Sequence, residues 1–163
     1  QKLGTNLQLA RVLERKEIEN YLLQPEALDR AIARALKGQR ERGRGRPSTV
    51  NSLVLLDEIT SPLKEDVLSQ LMARRHDYLH HTGQDRSTLY KDVLSGFNDR
   101  WAQLDTRIPL VPGKEVLRQF RQRIQELCGV TLTDSRIVES INRDDIPNDM
   151  KELLEALEVF RTA

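Results

Sequence analysis

LERKEIENYLLQPEAL, residues 13–28, is the stretch on which the reading of the fold turns. It grows out of an apolar run, residues 7 to 13, that reads as a short strand bounded upstream by Gly4 and Asn6. It leads into a helical pattern from Pro25, with Leu28, Ala31, Ile32, Ala35 and Leu36 recurring on one face. Between the two lie Glu17 and Glu19, just before Asn20 and Tyr21. In extended backbone those carboxylates face the same side and can share one cation. In a helix they diverge by about 200° and serve a solvated first turn whose dipole favours acids. Spacing alone leaves both readings open.

Working outward, the strand has no equally good partner in the chain. A lone strand cannot satisfy its own backbone, so a sheet is expected upstream of Gln1, where the chain starts without a methionine. Downstream the pattern is helical. Gly38 is placed to end the first helix. A second helix is predicted over 51–59, with Leu53, Leu56 and Ile59 as its buried edge. A third is opened by Ser61-Pro62 and carries Leu63, Val67, Leu68, Leu71 and Met72. After a break at Thr82-Gly83, another runs from Ser87 to Leu104 and buries Leu89, Val93, Leu94, Phe97 and Trp101. Two prolines keep residues 108–112 extended. Gly113 then opens a helix with Val116, Leu117, Phe120, Ile124 and Leu127 on one face, ended by Gly129. Two more helices are expected near 134–142 and 148–161. The predicted fold is mainly α, a helical chain with one or two short strands.

Composition agrees with that class. Charged residues make up 31% of the chain and aromatics only 4%, so the core must be built from Leu, Ile, Val and Ala. A net charge of +1 conceals basic crowding over 37–46 and acidic crowding over 144–158. No apolar run approaches the roughly 20 residues of a membrane span, and no secretory signal pattern is present. The lone Cys128 excludes an internal disulfide, suits a cytoplasmic location and reads as a small buried side chain.

The run Lys16-Glu17-Ile18-Glu19-Asn20-Tyr21-Leu22-Leu23 resembles the Arg-Glu-Ile-Glu-Asn-Tyr-Leu-Leu stretch of Toprim domains in the overcoming-lysogenization-defect family and related AAA/ABC-type ATPases, with lysine where arginine is common. The later Ile-Pro-Leu-Val-Pro-Gly-Lys, residues 108–114, resembles a Pro-Gly-Lys segment of the same C-terminal regions. The resemblance implies an ATPase joined to a divalent-metal-dependent Toprim nuclease acting on DNA, several members serving in phage defence. It divides the chain into a last Toprim strand and Glu-x-Glu-Asn-Tyr segment (1–24), a helical insertion with a basic loop at 37–50 (25–107), and a C-terminal helical segment opened by Pro-Gly-Lys (108–163). It makes Glu19, with Glu17, acids at an Mg²⁺ or Mn²⁺ site and Lys114 the basic residue near the scissile phosphate. Lys114 also sits at a predicted helix start, where free N–H groups favour a phosphate. An upstream glutamate and an Asp-x-Asp pair that the family site needs have no room before Glu17. The chain is therefore expected to be the second half of a Toprim domain, inactive alone, with ATP bound outside it.

Other signals are less specific. GRGRP, residues 43–47, resembles an AT-hook core but has Gly43 where a leading proline usually stands. Read from its charge, the same loop offers Lys37, Arg40, Arg42, Arg44 and Arg46 as salt-sensitive phosphate contacts to DNA. His76 and His80, with His81 adjacent, have a spacing that can hold a metal on a helix, but no third ligand is evident and surface histidines are the simpler reading. No Walker-type loop and no Gly-x-Ser-x-Gly elbow occur. Beside the nuclease reading stand a noncatalytic nucleic-acid-binding module and a helical interaction domain, with homo-oligomerisation open.

Overall fold

The computed structural model describes residues 12–43, 50–79 and 85–162. Among them the chain is mainly helical and has no strand. Residues 7–11 of the expected strand lie outside the described residues, and Val12 and Leu13 have irregular backbone. Among the described residues a 3-10 turn, Ile18–Leu22, precedes eight α-helices: α1 (Pro25–Arg40), α2 (Ser52–Thr60), α3 (Lys64–Leu79), α4 (Arg86–Trp101), α5 (Leu104–Arg107), α6 (Gly113–Cys128), α7 (Asp134–Val138) and α8 (Asn148–Thr162).

Helix α6 is the centre of the core. Val116, Leu117, Phe120, Ile124 and Cys128 fall on one face and are buried. Leu127, expected on that face, is 47% exposed, because Cys128 takes the inward position at the end of the helix. Gly129 stops the helix in the left-handed conformation, φ +68°, and its N–H donates to the Gln125 carbonyl. Against α6 pack α2 and the 3-10 turn, and α1 packs against α2 and α7. In α2 the buried edge is Leu55, Leu56 and Ile59, while Leu53 faces solvent. The helix starts at Ser52, capped by the Asn51 side chain, which accepts from the Val54 N–H.

Tertiary contacts move several boundaries. Helix α1 does not stop at Gly38. It runs to Arg40, and the Gln39 side chain donates to the Gly129 carbonyl at 2.7 Å, pinning the last turn to the end of α6. Ser61-Pro62 does not cap α3; it forms a short 3-10 turn that links α2 to α3. Helix α4 begins at Arg86, with Asp85 as its cap, and ends at Trp101 rather than Leu104. There the Arg107 side chain turns back and donates to the Trp101 carbonyl at 3.0 Å. The same guanidinium reaches Asp57 at 2.8 Å, Ser61 Oγ at 2.9 Å and Thr60 Oγ1 at 3.2 Å. A buried cation thus joins the C-terminal ends of α2 and α4, where helix dipoles favour positive charge. The Trp101 ring lies beneath it and stacks on Phe97.

The expectation of extended backbone over 108–112 holds only for Val111 and Pro112. Ile108–Leu110 is a 3-10 turn, which accepts Pro109 because an early position needs no N–H donor. Helix α7 ends at Val138, short of 142, and the Ser140 and Ile141 N–H groups close the chain into a turn.

Candidate functional site

The two segments singled out in the sequence meet. Asn20 is fully buried in the 3-10 turn that follows Glu17. Its Oδ1 accepts the Glu17 N–H at 2.9 Å, and its Nδ2 donates to the Ile108 carbonyl at 2.6 Å and the Val111 carbonyl at 3.0 Å. The Lys16 N–H donates to the Pro109 carbonyl at 3.0 Å. Across 97 residues of sequence, the Glu17 carboxylate accepts the Lys114 backbone N–H at 2.9 Å. The glycine between Pro112 and Lys114 is required by this approach. A Cβ on Gly113 would lie 2.6 Å from Asn20 Oδ1 and 2.7 Å from the Asn20 backbone nitrogen. The Glu-Asn-Tyr and Pro-Gly-Lys segments are therefore two halves of one joint.

Asn20 and Tyr21 hold the turn. The Tyr21 hydroxyl donates to Asp149, which also accepts the Glu14 N–H at 3.0 Å. Arg15 donates to the Asn20 carbonyl at 2.6 Å and lies over the Tyr21 ring. Burial, reinforced by the bond to Asp149, pushes the Tyr21 hydroxyl up to about 12. Burial alone would raise the Asp149 carboxyl. The bonds from Tyr21, Glu14 and Met150 and the charge of Arg15 outweigh it and hold the group below its ordinary value.

Glu17 has extended backbone, but Glu19 sits inside the 3-10 turn, so the two acids are not on a continuous extended segment. Both nevertheless line one groove of about 520 Å³, together with Lys114, Arg118, Arg121 and Asp134. Arg121 pairs with Asp134, and Arg118 makes a two-pronged contact to Glu115. Bonds from Arg118 and then Gln119 hold the Glu115 carboxyl at about 2. The Lys114 N–H, expected to be free for a phosphate, is already taken by Glu17; its exposed side chain is what remains for a ligand.

Among the described residues no three His, Cys, Asp or Glu side chains form a metal-holding group. Glu17 and Glu19 are two carboxylates on one groove, the number a hard divalent ion takes when waters and phosphates complete its shell, and one Glu17 oxygen is already bonded to the Lys114 N–H. Sequence reasoning missed Arg118, Arg121 and Asp134. The first two are one turn apart on the polar side of α6, and Asp134 follows the capping Thr133, signals that mark a helix surface rather than a groove.

The remaining candidates are separate from this groove. Lys37, Arg40 and Arg42 are exposed at and beyond the end of α1. Arg44, Arg46, His80 and His81 lie outside the described residues. His76 approaches Asp77 on α3. No described helix is long and apolar enough to cross a membrane. Comparison with known proteins gives no match: no family model, no curated protein and no solved structure.

Proposed function

We propose that this chain is the C-terminal portion of an ATPase-linked, divalent-metal-dependent Toprim DNA nuclease, with phage defence as its setting. The observation that supports the reading is the joint itself. Two segments that resemble the same family, far apart in sequence, pack so that Glu17, Glu19 and Lys114 share one groove. Glu19 is the acid offered to the Mg²⁺ or Mn²⁺, and Glu17, tied to the Lys114 N–H, completes the pair and fixes its orientation. Lys114, whose side chain is exposed on the same groove, is assigned to contact the phosphate to be cleaved. The metal, when bound, supplies an activated water and charge neutralisation on the phosphodiester. The other carboxylates and the ATP site belong to chain outside this sequence. The test is metal-dependent DNA cleavage by the protein carrying its upstream coding sequence. Glu19→Ala should lower the rate at least 100-fold without loss of fold; an unchanged rate refutes the site.

A second reading, a helical interaction module, is favoured by an apolar groove of about 460 Å³ beside the first, lined by Ile18, Leu22, Val138, Ile146, Met150 and Leu154. Several of these are exposed, and α8 continues the apolar surface with Leu157 and Phe160. Sedimentation velocity tests it for self-association: Leu154→Lys should shift a dimer to monomer, and a chain that is monomeric at all concentrations removes that form of it.

A further inference from the structure

On the face bounded by Glu14–Lys16, α3 and the end of α4 is a cleft of about 290 Å³. Four basic residues line it: Arg15, which is bonded to the Asn20 carbonyl and lies over the Tyr21 ring, and three from three elements, Lys16 from the segment before the 3-10 turn, Arg74 from α3 and Arg100 from the last turn of α4. Arg30, Arg107, Arg118 and Arg121 each have an acidic partner. Lys16, Arg74 and Arg100 form no ion pair with any described carboxylate. Glu14 is the one acid among the lining residues.

The cationic set is also placed. The Lys16 ammonium donates to Gln70 Oε1 at 2.9 Å, and its backbone is bonded to Pro109. Leu13, Val67, Leu71 and Leu110 give the cleft an apolar floor, which strengthens charge interactions by displacing water. Lys16 and Arg74 bring like charge to the same cleft, and an anion seated between them relieves their repulsion.

We infer that this cleft is a phosphodiester-binding site that grips a nucleic-acid backbone through Lys16, Arg74 and Arg100. Guanidinium forks match phosphate oxygens two at a time. Among the described residues no aromatic side chain lines the cleft, so the site is read as one that holds backbone and does not read bases. The inference does not rest on cleavage, since a noncatalytic domain with this cleft would bind the same ligand.

The experiment is fluorescence anisotropy with a labelled duplex and the full chain, in EDTA so that cleavage plays no part. Three phosphate contacts contribute a slope of about −2.7 in log K against log salt, or roughly 40-fold weaker binding between 50 and 200 mM. Each of Lys16→Ala, Arg74→Ala and Arg100→Ala should flatten the slope by about one contact, and the triple variant by about three. Arg123→Ala, whose partner is Glu126 on the exposed side of α6, should leave it unchanged. If Lys16→Ala lowers the melting temperature, the Arg74→Ala/Arg100→Ala pair, both exposed, carries the test. Inorganic polyphosphate should displace the duplex, and polyglutamate of equal charge should not. An unchanged slope in the folded triple variant overturns the site. Equal displacement by polyglutamate overturns its assignment to phosphate. Displacement by micromolar inorganic phosphate would assign it to a small ligand and overturn the nucleic-acid reading.

Discussion

Replacing Asn20 with alanine should be among the most damaging single changes in the chain. The side chain is fully buried and makes three hydrogen bonds, two of them to the Ile108 and Val111 carbonyls of the segment leading into α6. Depriving a buried acceptor of its donor costs about 1–3 kcal/mol, so the two carbonyls account for about 2–6 kcal/mol. The Glu17 N–H is nearer the surface and adds less, because water can replace its partner. The net expectation is about 3–5 kcal/mol, a large share of the roughly 5–15 kcal/mol that holds a domain folded. With a urea dependence of about 2 kcal/mol per molar, the unfolding midpoint should fall by about 1.5–2.5 M. Asn20→Asp separates hydrogen bonding from packing. It keeps shape and the acceptor for Glu17 but sets a carboxylate oxygen against two carbonyls. It should be as damaging as alanine at neutral pH and recover as acid restores a donor proton. A midpoint shift below about 0.5 M for Asn20→Ala, or a neutral-pH Asp variant as stable as wild type, would refute the reasoning.

Arg107→Ala should cost about 2–4 kcal/mol in urea unfolding, since it strips the Trp101 carbonyl and two hydroxyls of a buried donor. Asp57→Asn should cost about 1 kcal/mol or less, because Asp57 is 52% exposed and the guanidinium keeps its other acceptors. Equal losses would show that the ion pair, and not the capping of two helix ends, is what matters. Tyr21 has a folded-state pKa of about 12 against an ordinary value of 10.0, so its contribution to stability is complete below pH 10 and declines as pH rises from 10 through 12. Thermal melts across that range should show a shallower alkaline decline for Tyr21→Phe, which starts lower at neutral pH for want of the bond to Asp149. Parallel declines would contradict the shifted hydroxyl.

Much of the helical plan is legible from local signals. Pro25 and Gly113 open helices, Gly129 closes one, and the 3.6-residue rhythm picks out Phe120 and Ile124 without any tertiary knowledge. Where the reading failed, a distant contact decided the matter. Gly38 is a plausible stop until Gln39 is seen bonded to Gly129. Leu104 fits the rhythm of α4, but the Arg107 fork takes the Trp101 carbonyl and ends the helix there. Leu53 and Leu127 satisfy a helical stripe equally well on paper, and only the position of α6 against α2 shows which neighbours turn inward. The same holds for the site. The acids and the lysine were visible as residue types, whereas the bond from Lys114 to Glu17 and the fit of Asn20 over Gly113 are properties of the folded chain.

That fit offers the most direct test of the claim that the two segments are one joint. In a double-mutant cycle, Gly113→Ala places a methyl against Asn20 Oδ1 and Cγ as well as its backbone nitrogen. Overpacking of this kind costs about 1–3 kcal/mol on its own. Asn20→Ala removes the two side-chain contacts, so the combined loss measured in urea should fall short of the sum by about 1 kcal/mol or more. Additive losses would mean that the Glu-Asn-Tyr and Pro-Gly-Lys segments do not meet in solution.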